Sequence, residues 1–133
     1  LLDIYGCDPE ILNDYERLEC IMYETLHLVD AKLLRLIGEK FKPQGVTLLA
    51  LLAESHCSIH TWPELGFAAV DFYTCGKEFD SFEVTNMLRE RLKAESINKK
   101  DINRPTQSLN FFGLVMLLQQ LVLLGFLKTY LSD

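Results

Sequence analysis

The sequence predicts an α+β fold, a two-layer sandwich in which an antiparallel sheet is backed by two helices. Three observations carry that expectation. Apolar runs of strand length recur along the chain, with tight turns such as Pro43-Gln44-Gly45 and Trp62-Pro63-Glu64-Leu65-Gly66 beside them. Two longer segments place apolar residues at helical spacing. The links between the middle strands are too short for a crossover, so those strands must run antiparallel.

Residues 1–5 suit a first strand. Asp8 is a good N-cap and Pro9 fits the first helical position; Ile11, Leu12, Tyr15, Leu18 and Met22 then predict one helix over 9–28. Residues 31–41 fit a strand, although Leu33, Leu34 and Ile37 also suit a helix. The stretch 46–53 is continuously apolar and ambiguous by pattern, but its length and the preceding turn favour a buried strand. Strands follow over 55–61 and 67–74. Asp80 and Glu83 have capping-box spacing, and Phe82, Met87, Leu88 and Leu92 supply an apolar stripe, which predicts a second helix to about residue 94. A last strand over 97–102 completes the order β-α-β-β-β-β-α-β.

The tail differs in character. Residues 109–127 read LNFFGLVMLLQQLVLLGFL, apolar on every side of a helical wheel except for Asn110, Gln119 and Gln120. A helix of that length spans roughly 28 Å, near the bilayer core thickness. Lys99, Lys100 and Arg104 precede it and Lys128 follows, so a spanning tail would leave the preceding domain in the cytoplasm. The other reading is a helix buried in an oligomer or covering the sheet. The expected organisation is a domain over 1–107 and an apolar tail helix, a candidate membrane anchor, over 108–133.

The chain of 133 residues is long enough to bury one core without disulfides or metal, and 49% apolar residues with 24% charged ones mark it as globular. A formal charge of −6 with no basic face argues against a nucleic-acid partner. Cys7, Cys20, Cys57 and Cys75 show no CxxC spacing and no secretory signal precedes them, which points to reduced thiols in a cytoplasmic protein. Opening on Leu1-Leu2 without an initiator Met, the sequence is expected to lack a few native N-terminal residues.

The segment 53–76, AESHCSIHTWPELGFAAVDFYTCG, concentrates the polar chemistry between apolar strand-like stretches. Taken singly its residues are unremarkable: Ser55 is a turn or strand residue, His60 a satisfied polar group, Cys75 a small buried hydrophobe, and Trp62, like Phe41 upstream of the segment, core. His56 and His60 have HxxxH spacing, but on a strand they lie about 13 Å apart, too far to share an ion, so no metal is expected. A Ser/His hydrolase would call for a GxSxG elbow, which is missing. The joint spacing of Ser55, His60, Trp62-Pro63-Glu64 and Thr74-Cys75-Gly76 is what sets the segment apart.

That spacing closely resembles the self-processing and active-site segment of the short prokaryotic S-adenosylmethionine decarboxylases. The resemblance runs over about 1–104, is strongest over 43–76, and includes the approach Phe41-Lys42-Pro43-Gln44-Gly45-Val46-Thr47. It implies cleavage between Glu54 and Ser55, with Ser55 converted into a covalent pyruvoyl cofactor at a new N-terminus, His60 as processing base and Thr47 supporting the processing intermediate. It further implies a Schiff base between the pyruvoyl group and S-adenosylmethionine, Cys75 as proton donor, and Phe41, Trp62 and Glu64 near the substrate. The product would be the aminopropyl donor for spermidine synthesis, and the enzyme a homodimer of cleaved protomers in which both subunits line each site. Two departures stand out: Glu39 where a His is frequent, and Leu48 in place of a common Gly. The alternatives are the same chemistry on arginine or ornithine, or a non-catalytic regulatory relative.

Overall fold

The computed structural model describes residues 1–53, 55–73 and 81–102. Among these, six strands form one antiparallel sheet: β1 (Leu2–Tyr5), β2 (Leu33–Lys40), β3 (Val46–Leu52), β4 (His56–Trp62), β5 (Phe67–Tyr73) and β6 (Ser96–Lys99). Their spatial order is β2-β3-β4-β5-β1-β6, every neighbouring pair antiparallel. Helices α1 (Pro9–Leu12), α2 (Tyr15–Leu28) and α3 (Ser81–Leu92) accompany it. The α+β sandwich expected from the sequence is therefore present, with α2 and α3 as its two long helices. Among the described residues no helix is long and apolar enough to cross a membrane. The capping residue Asp80 and the apolar stretch 109–127 lie outside the described residues.

Strand alternation sorts the side chains. Leu2 and Ile4 of β1, Val46, Leu48, Ala50 and Leu52 of β3, Cys57 and Ile59 of β4, and Ala68 and Val70 of β5 are buried in one core. Leu18, Ile21, Met22 and Leu26 of α2 and Val84, Leu88 and Leu92 of α3 complete that core. Among the described residues the other face of the sheet is open: Leu49 and Leu51 are 41% and 52% exposed, whereas Leu48 and Ala50, which alternate with them, are fully buried. This explains the ambiguity of β3, whose continuous apolar run supplies one set of side chains to the core and another to the open face.

The single helix expected over 9–28 is two. Asp14 takes an extended conformation and its Oδ1 accepts from the Arg17 N–H at 3.1 Å, capping α2. Asn13 ends α1, and its Oδ1 accepts from the Gly45 N–H at 3.1 Å, so the break also grips the loop before β3. Asp8 caps α1 as expected, accepting from the Glu10 N–H at 3.0 Å, and pairs with Lys93 at 2.8 Å. β2, readable as helix or strand, is an exposed edge strand carrying a register shift between Leu33 and Arg35.

Candidate active site

β3 and β4 form a hairpin that brings the site together. Its register pairs Thr47 with His60, Leu49 with Ser58 and Leu51 with His56, all on the open face. At its closed end the Leu52 N–H donates to the Ser55 carbonyl at 3.0 Å, and the Ala53 N–H donates to the Lys32 carbonyl at 2.9 Å. Ser55 thus stands where the hairpin turns back into β4. Glu54 and Cys75, the expected cleavage partner and proton donor, lie outside the described residues.

Two hydroxyl–imidazole contacts occupy this face. Thr47 Oγ1 lies 2.9 Å from His60 Nδ1, and Ser55 Oγ lies 3.3 Å from His56 Nδ1. The first joins two residues that the resemblance assigns to processing. The second involves a histidine to which sequence reasoning gave no role. His60 and His56 are four residues apart on β4, about 13 Å along the strand, so His60 is remote from the Ser55 hydroxyl of its own chain.

The register at Thr47 and His60 is locked from behind. Thr61, next in sequence to His60 and buried, accepts from the Val46 N–H at 2.8 Å. Its own proton goes to the Leu12 carbonyl at 2.7 Å, with the Val46 carbonyl at 3.1 Å. One hydroxyl therefore ties the start of β3, the end of β4 and the end of α1 together.

The expected substrate residues gather at the other end of the hairpin. Trp62 is 40% exposed, with its ring 6.4 Å from His60 and 5.4 Å from Phe67, and Phe67 stacks on toward Tyr5 at 5.1 Å. This makes an aromatic row across β4, β5 and β1. Glu64 sits in a short 3-10 turn (Pro63–Leu65), where its Oε2 accepts from Gln44 Nε2 at 3.0 Å. Gly66 closes that turn with φ +56, and a Cβ there would come within 3.2 Å of the Cys7 carbonyl. Phe41 is exposed in the β2–β3 loop, its N–H donating to the Gly45 carbonyl at 2.8 Å across the cis Lys42–Pro43 bond. Gln44 and Phe67 were missed by sequence reasoning. Phe67 was within reach, because a tight turn flanked by two aromatics pairs them across a hairpin.

Glu39, the first departure, pairs with Thr47 in the sheet register, one strand out from His60. Leu48, the second, points into the core and is fully buried. Cys57, on the core side of β4, has its thiol pushed up to about 12, mainly by burial and further by the Asp71 carboxylate. It is a packing residue. Among the described residues no group of His, Cys, Asp and Glu side chains is arranged to hold a metal ion.

Comparison with known proteins places this site in context. The model of the S-adenosylmethionine decarboxylase family matches residues 1–105. The S-adenosylmethionine decarboxylase proenzymes of Caldicellulosiruptor saccharolyticus and Clostridium tetani are 42% and 43% identical over 104 residues, covering 78% of this chain and 84% and 82% of theirs. The crystal structure of the adenosylmethionine decarboxylase from Aquifex aeolicus superposes with a TM-score of 0.67 at 28% identity, covering 77% of this chain and 92% of that one. The fold and these relatives define a decarboxylase of an α+β class. This chain belongs to the S-adenosylmethionine decarboxylase family. Membership favours S-adenosylmethionine over arginine or ornithine as the substrate, and the family is generally pyruvoyl-dependent.

Proposed function

We propose that this chain is a proenzyme that cuts itself between Glu54 and Ser55 and decarboxylates S-adenosylmethionine as a homodimer of cleaved protomers. The observation that carries the reading is the Thr47–His60 contact at 2.9 Å on the open face of the same hairpin that ends in Ser55. Ser55 fits the role of cofactor precursor: it stands at a chain reversal with an imidazole beside its hydroxyl. Once formed, the pyruvoyl group supplies a carbonyl that takes up the charge left by the departing carboxylate. The chain's own residues do the rest. His60, steadied by Thr47, takes the Cα proton of Ser55; Cys75 returns a proton to the substrate carbon. Trp62 offers a ring face to a sulfonium or an adenine, with Phe41 a further exposed aromatic and Glu64 a nearby carboxylate.

A distance supports the dimer. Ser55 and His60 of one chain are too far apart to meet, so a complete site needs His60 and Thr47 from a second copy. Two open faces stacked about a two-fold axis would supply them, and would cover Ile37, Leu49 and Leu51, each more than 40% exposed. We assign the decarboxylase to residues 1–107 and treat 108–133 as a separate tail, which agrees with the family match ending at residue 105. We place the activity in the cytoplasm, in keeping with the free thiols of Cys7, Cys20 and Cys57.

Intact-mass spectrometry under denaturing conditions tests the reading. The expected result is two chains of 54 and 79 residues, the second beginning with a pyruvoyl group. A single uncut chain after long incubation would sink it and favour the non-catalytic relative.

A further inference from the structure

We propose that His56 is the base of the first step of self-cleavage: it takes the Ser55 hydroxyl proton and returns it to the nitrogen that leaves. The inference rests on cleavage before Ser55 and adds a catalytic residue to it. Four observations support it. The Ser55 Oγ lies 3.3 Å from His56 Nδ1. The other imidazole on this face, His60, stands about 13 Å further along its own strand, and the copy of it that a second chain would bring to Ser55 has its Nδ1 engaged by Thr47 Oγ1 at 2.9 Å. His56 is held on both sides in the sheet, by Leu51 of β3 and Tyr73 of β5, so its backbone is fixed where the hairpin closes. Its ring lies 5.7 Å from the Tyr73 ring at 44° and is half-buried, which restrains it beside Ser55.

With the ring proton on Nε2, His56 Nδ1 accepts the proton of the Ser55 hydroxyl while Oγ bonds to the Glu54 carbonyl carbon. The carbonyl oxygen takes the negative charge of the tetrahedral intermediate. That intermediate collapses by breaking the bond between the Glu54 carbon and the Ser55 nitrogen, and the imidazolium gives its proton to that nitrogen. The result is an ester and a free amine, with His56 neutral again. An imidazole suits both halves because it takes and gives protons near neutral pH. A contact of 3.3 Å is long, and resting-state catalytic hydrogen bonds commonly tighten only as the reaction begins. The two histidines then divide the labour. His56 serves the oxygen-bound proton of the ester-forming step, and His60 serves the carbon-bound proton of the elimination that follows.

Stopping the reaction between these steps tests the division. In His60→Ala the elimination is held back, so the ester accumulates and hydroxylamine cuts the full-length chain between residues 54 and 55; intact mass gives the rate. Adding His56→Asn keeps a hydrogen-bond acceptor near the Nδ1 position but removes the base. The expected result is a fall in hydroxylamine-dependent cutting of about 100-fold or more, in line with a lost general base. His56→Ala in the same background should be slow and should regain rate with added imidazole. The proposal is overturned if His56→Asn cuts as fast as its His60→Ala parent, or if imidazole leaves slow His56→Ala unchanged. A His60→Ala parent that hydroxylamine cannot cut also overturns it, because the first step would then belong to His60. Should one His56 variant fold poorly, the other decides. A wild-type chain that never cuts sinks the proposed function itself, whereas failure of the His56 variants to slow sinks only this step.

Discussion

Gly38 and Leu48 occupy each other's space. The two residues pair across β2 and β3, and a Cβ on Gly38 would overlap Leu48 Cδ2 and come within 2.8 Å of the Thr47 carbonyl oxygen. Leu48 is accommodated because position 38 carries no side chain. Gly38→Ala should therefore destabilise the fold by about 1–3 kcal/mol, the usual cost of overpacking. Urea unfolding measures it, and a change below a few tenths would mean the edge strand simply moves aside.

Thr61 should be the costliest polar residue to lose near the site. Thr61→Val leaves the Val46 N–H and the Leu12 carbonyl without this partner in the core. The expected loss is about 1–3 kcal/mol, with Thr61→Ser close to the parent protein. Self-cutting should slow in Thr61→Val as well, since Val46 and Thr61 directly precede and follow the Thr47–His60 pair. Comparing unfolding midpoints and cutting rates for the two variants checks both.

Sites shared between subunits should show complementation. Ser55→Ala and His60→Ala should each stay uncut when made alone. Co-expressed, they form a mixed dimer in which the Ser55 of one chain meets the His60 of the other. Mass spectrometry should then find essentially all the His60→Ala chains of mixed dimers cut, and no cut Ser55→Ala chains. No cutting at all would place Ser55 and His60 in the same subunit.

The buried thiols should make the fold sensitive to alkali. Burial raises Cys57 to about 12 and Cys7 to about 11, above the ordinary thiol value of about 8.5 in an unfolded chain. A raised folded pKa means that this contribution to stability is complete below about pH 8.5 and is lost as pH climbs toward 12. Urea midpoints should fall between pH 8 and pH 10, with a shallower fall in Cys57→Ala. An unchanged slope would move the effect to other groups. Exposed Cys20 should alkylate well before either.

The sequence made the sheet legible where alternation or a tight turn forced it. β4, β5 and the Trp62–Gly66 turn lie within a residue of expectation, because that turn leaves the flanking strands only an antiparallel pairing. β2 was obscure because an edge strand with most of its side chains exposed need not alternate. The break at Asn13–Asp14 was hidden because apolar spacing continues across it; what ends α1 is a long-range bond from Asn13 to Gly45. The same limit applied to the site. Ser55, His60 and Thr47 were readable from a motif, whereas the His56 contact and the Gln44–Glu64 bond emerge only when strands are in register.

The strand order has a consequence for the severed molecule. A cut before Ser55 leaves β1, β2 and β3 on one product and β4, β5 and β6 on the other, yet β1 lies between β5 and β6. The smaller product is thus dovetailed into the larger one, and β3 grips β4 at a second seam. Neither piece can rebuild this sheet unaided, so each product depends on the other for its strand partners. What began as one chain then stays together as carpentry does, by interlocking grain instead of by a bond.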